Sequence, residues 1–85
     1  MTTPIPMAAA PTPAEVRATL LAAMKAKVHK YLEKDTLRSA WSAARDEIMA
    51  HSELHDLMDA VSGSVVALVK ANDKAGFTAW LDGLA

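Results

Sequence analysis

Three observations predict an all-α fold, a small bundle of three longer helices plus a short C-terminal one. Apolar residues recur at helical spacing almost continuously from Thr12 to Leu84. Gly and Pro are few, three and four in 85 residues, so little punctuates that pattern. The one β-like run, Val65 to Val69, has no second strand to pair with.

Ahead of the first helix lies a Pro/Ala/Thr arm, residues 1–11, containing Pro4, Pro6 and Pro11. Proline removes a backbone donor and biases the preceding residue toward extended geometry, so the arm is expected to be flexible. Residues 12–85 are expected to form a single helical domain, a size with a limited core.

The first helix has a clear start. Thr12 is placed to cap, Pro13 suits the first helical position, and Glu15 completes a Thr-x-x-Glu box. Val16, Leu20, Leu21, Met24, Val28, Tyr31 and Leu32 share one side over an arc of about 160°. That arc is wider than one helix contact requires. The helix therefore either lies between two neighbours or keeps apolar surface for a partner. Asp35-Thr36 is a polar break with capping character, yet a soft one. Helices one and two are either separate or continuous, and continuity favours a coiled coil.

Helix two carries the stripe Leu37, Ala40, Trp41, Ala44 and Ile48. Ser52 is the next expected cap. Helix three then has Leu54, Leu57, Met58, Val61, Val65, Leu68 and Val69 on one side, and Ala60, Ser64, Ala67 and Ala71 on the other. Two packable sides predict a central helix. Asn72-Asp73 closes it and caps a fourth, with Phe77, Trp80, Leu81 and Leu84 at i, i+3, i+4 and i+7. Such a short segment must dock on something to stay helical.

Net charge is −1, which hides an asymmetry. Residues 1–45 hold seven basic and three acidic side chains; residues 46–85 hold two and seven. The two halves either face each other within one fold or associate head to tail between copies. There is no cysteine, no signal-peptide pattern and no membrane-length apolar run, which predicts a soluble, cytoplasmic protein.

No residue pattern calls for an enzyme or a cofactor. The serines lie in helical contexts without a strained glycine elbow, and no glycine-rich phosphate loop occurs. His51, His55 and Asp59 are spaced to share a helix face. The zinc-protease pattern, however, needs Glu where Ser52 stands, and a helix start at Ser52 turns His51 away. No metal site is expected.

The expected function is a non-enzymatic protein–protein interaction module: an adaptor, an inhibitor or an assembly subunit. Small cysteine-free helical proteins with an unstructured arm occur among phage-encoded accessory and structural proteins. Two surfaces are expected to bind a protein partner or a second copy. One is the C-terminal aromatic helix through Phe77, Trp80, Leu81 and Leu84, residues that otherwise cap the chain's own core beside Trp41. The other is the broad side of helix one through Leu21, Val28 and Leu32. The alternative is nucleic-acid binding through Lys25, Lys27, Lys30, Lys34 and Arg38. Against it, these cations spread around the helix and the chain as a whole is not basic.

Overall fold

The computed structural model describes residues 11–85, and every regular element among them is helical. The arm expected over residues 1–11 lies outside the described residues except for Pro11. The first two helices are α1 (Pro13–Lys34) and α2 (Leu37–Ala50). A 3-10 helix follows at Ser52–Leu57. The chain then forms α3 (Met58–Ser62), α4 (Ser64–Lys70) and α5 (Lys74–Asp82).

Three of the four expected caps form. Thr12 Oγ1 accepts from the Glu15 N–H at 3.2 Å, and Pro13 occupies the first turn. Thr36 Oγ1 accepts from the Ser39 N–H at 3.2 Å, so α1 and α2 are separate helices. The Asp73 carboxylate accepts from the Gly76 N–H at 2.9 Å. Each such cap satisfies a donor with no partner inside its helix. The fourth, Ser52, fails: the 3-10 helix starts there with no side-chain cap.

The single long helix expected after residue 52 is broken twice. Leu54 and Leu57 are both buried, and their spacing of three matches the 3-10 repeat. Val61 and Val65 continue the buried line at a spacing of four. The change of period is the change of helix type. The second break is at Gly63, where a Cβ would lie 2.7 Å from the Asp59 carbonyl oxygen, closer than a side chain tolerates. The Val61 carbonyl loses its helical continuation there. Trp41 Nε1 donates to it at 2.8 Å, tying α2 to α3.

Between α4 and α5 the turn is a Schellman motif. Asn72 adopts φ 53°, a left-handed conformation that asparagine tolerates. The Asp73 N–H reaches the Leu68 carbonyl at 2.8 Å and the Asn72 N–H reaches that of Val69 at 3.0 Å. These bonds satisfy the end of α4 and start α5 at once.

One apolar cluster unites all of this. Leu21, Met24, Val28 and Leu32 of α1 meet Leu37, Ala40, Ala43, Ala44 and Ile48 of α2. Leu54, Leu57, Val61 and Val65 enter from the third segment, and Phe77 and Leu81 from α5. The breadth of the apolar side of α1 has its explanation here: α1 contacts α2, the 3-10 helix and α5. The expectation of a central third helix fails. Ser64, Ala67 and Ala71 are exposed and Ala60 is half-buried against the core, so most of the small side is left uncovered among the described residues.

Candidate interaction surfaces

Of the seven residues expected to bind a partner, five lie in the chain's own core. Phe77, Leu81 and Val28 are fully buried, and Leu21 and Leu32 nearly so. The two expected surfaces are turned inward and share one core, because α5 docks on α1. Trp80 and Leu84 are half-buried at the edge of that contact, with the Trp80 ring tilted 52° against Phe77 at 5.6 Å. These two alone keep surface for another molecule.

Polar contacts from α1 hold the end of α5. His29 Nε2 lies 2.7 Å from Asp82 Oδ1. Lys25 Nζ donates to the carbonyl oxygens of Leu84 and Asp82, and Arg17 Nη1 to that of Ala85. Cations at a helix C-terminus satisfy carbonyls left without helical partners and oppose the dipole.

The same contacts answer the charge asymmetry. Arg17 pairs with Asp56 at 2.8 Å and Lys27 with Glu47 at 2.7 Å, each joining the basic first half to the acidic second half. The Arg17 hydrogen bond holds the Asp56 carboxyl below the usual aspartate value, against a smaller opposing effect of desolvation. The Lys27 hydrogen bond lowers Glu47 likewise, and Lys27 is itself raised by its hydrogen bond to Glu47.

A carboxylate depressed in the folded state contributes stability that is present above its unfolded value, about 4. That contribution is lost as pH falls through the lower folded value. A raised lysine contributes below its unfolded value, about 10.4, and loses the contribution as pH rises through the higher folded one. The contribution of these three groups is therefore constant between these limits and declines on the acid side below about pH 4. Urea midpoints measured against pH check this, with Asp56→Asn giving a shallower acid decline. The effect is small, because these groups are well exposed to water.

Two of the five cations expected to meet nucleic acid are thus engaged within the chain, Lys25 on the carbonyls and Lys27 on Glu47. Lys30, Lys34 and Arg38 are exposed and form no ion pair among the described residues. They surround the α1–α2 turn. Tyr31, 37% exposed, stands there between two shallow grooves. One, about 200 Å³, is lined by Lys30, Tyr31, Lys34 and Asp35. The other, about 230 Å³, is lined by Lys27, Tyr31, Ser39, Ser42, Ala43 and Asp46. Each groove contains a carboxylate, which disfavours a bound phosphate.

His51 Nε2 faces Glu47 Oε2 at 3.5 Å, while His55 Nε2 contacts the Met49 carbonyl at 3.3 Å. The extended backbone of His51 separates the two rings. Among the described residues no three His, Cys, Asp or Glu side chains are grouped to hold a metal. No helix among them is long and apolar enough to cross a membrane.

Sequence reasoning missed the outer side of α4. The helix reads Ser-Val-Val-Ala-Leu-Val-Lys, apolar at five of seven positions, yet only Val65 is buried. Val66, Leu68 and Val69 are half-buried and Ala67 is exposed. The signal that could have found it is Ser62-Gly63-Ser64, a poor helix interior that uncouples α4 from the preceding register.

The architecture is that of a small all-α bundle. No family model, curated protein or solved structure matches this chain.

Proposed function

We propose that this protein is a non-enzymatic protein–protein interaction module of the cytoplasm. Its role is that of an adaptor, an inhibitor or an assembly subunit, of the kind found among phage accessory and structural proteins. The observation that carries this reading is α4. Five apolar residues in seven bury one side chain, and the helix lies at the edge of the bundle. Val66, Leu68 and Val69 are half-buried and Ala67 is exposed, and apolar surface left partly open to water in this way favours association.

The small side of the segment supports the same reading. Ser64, Ala67 and Ala71 leave room for a second helix to approach closely, and they are exposed among the described residues. Trp80 and Leu84 add half-buried apolar area on the neighbouring helix. The partner-binding surface is therefore moved from the buried faces of α1 and α5 to the outer side of α4.

Immobilised wild-type protein is expected to retain a defined polypeptide from its source cells. Ala67→Arg, which fills the exposed small side without touching the core, is expected to lose it. Retention of the same polypeptide by both proteins would exclude α4 as the surface. Retention of nothing by the wild type would count against the module reading itself.

A further inference from the structure

Among the described residues, the two most exposed large apolar side chains stand at opposite ends of the α1–α2 hairpin. Tyr31 is near the turn, and Met49, 51% exposed, is near the far end. Their charged surroundings differ in sign. The spread expected of the cations around α1 holds for Lys25 alone: Lys27, Lys30 and Lys34 project within about 60° of one another, with Tyr31 beside them, and Arg38 follows across the turn. Glu33 lies off that flank, about 60–120° away on the opposite side from Tyr31, and Asp35 lines the groove.

At the far end the order is reversed. The Arg17–Asp56 pair and the His55–Met49 contact place the start of α1, the end of α2 and the 3-10 helix together. Glu15, Glu53, Asp56 and Asp59 carry the charge of that end, with Arg17 bound to Asp56. Arg45, one turn before Met49, is held over the Trp41 ring at 5.8 Å.

The nineteen residue steps from Glu15 to Lys34 correspond to about 28 Å of helix. That is several times the screening length of about 8 Å at physiological salt, so the two ends do not neutralise each other within one molecule. A second copy can bring them together.

We propose that the chain self-associates head to tail. The Lys30/Tyr31/Lys34/Arg38 end of one copy receives the Met49/Glu53/Asp59 end of the next. The contact uses neither α4 nor the surface assigned above to a partner. It is heterologous, so each added copy exposes the same two ends again, and growth is open unless the rotation closes a ring.

Sedimentation velocity over a range of protein concentration tests this, at about 20 mM and about 500 mM salt. The expected result is a mass that rises with concentration at low salt and returns to the monomer at high salt. Lys30→Glu with Lys34→Glu, and separately Glu53→Lys with Asp59→Lys, are each expected to abolish the rise. All four positions are exposed, so both proteins keep the wild-type far-ultraviolet dichroism. Mixed in equal amounts, the two variants are expected to associate again in alternation, because the intact acidic end of one meets the intact basic end of the other and the two reversed ends also carry opposite charge. A monomer under every condition overturns the proposal, as does association that survives either reversal or a mixture that fails to pair. Ala67→Arg leaves self-association unchanged, so failure here and failure of the α4 surface are separate results.

Discussion

Phe77→Ala is expected to lower the unfolding free energy by about 3–5 kcal/mol, the range for removing a buried aromatic side chain. Phe77 is fully buried, and it holds the Trp80 ring at 5.6 Å. With Leu81 it is one of the two α5 residues in the buried core. A domain of this length has a total stability on the order of 4–13 kcal/mol. The variant therefore loses a large share of its stability, and α5 has little reason to stay helical without that anchor. Equilibrium urea unfolding measures the loss. A loss below about 1 kcal/mol would mean that the side chain lies at the surface, where interior truncation costs do not apply.

Trp41→Phe is expected to cost about 1–3 kcal/mol, the penalty for leaving a desolvated carbonyl without its donor. The ring volume is largely kept, so the loss reports chiefly on the 2.8 Å bond to the Val61 oxygen at the Gly63 break. Weaker stacking of Arg45 on a smaller ring adds to it. Trp80→Phe is the control: its indole N–H makes no protein hydrogen bond among the described residues, and its effect should be the smaller. Equal losses for the two variants would remove the special role of the Trp41 bond.

Much of the architecture is legible in the chain because its signals are local. Thr12, Thr36 and Asp73 cap as their positions suggest, since a cap needs only a side-chain oxygen and a donor three residues on. The stripe of α2 is buried except for Trp41, which is half-buried because it reaches sideways to α3. The third segment is less legible. Leu54, Leu57, Val61 and Val65 fit one helix by spacing alone, and a change from three to four residues between buried positions is a small departure. Only packing shows that it marks a change of helix type.

The proposed interaction surface is legible least of all, for a physical reason. Apolar periodicity reports which residues prefer to leave water, not what covers them. Phe77 and Leu81 find Leu21, Val28 and the rest of the shared cluster within the same chain. Val66 and Ala67 find nothing comparable, although their neighbours in sequence are just as apolar. The charge asymmetry divided in the same way. Arg17 and Lys27 find acidic partners within the fold, while Lys30, Lys34 and Arg38 remain in solvent around the turn.

In this fold α5 lies inside the bundle and the outer side of α4 lies outside it. Thermal melting of Phe77→Ala and Ala67→Arg, side by side with the wild type, tests this most directly. The expected result is a fall of more than about 12 °C for Phe77→Ala, from the loss above at about 4–8 °C per kcal/mol, and a melting temperature close to wild type for Ala67→Arg. A stable Phe77→Ala beside a collapsed Ala67→Arg would contradict it.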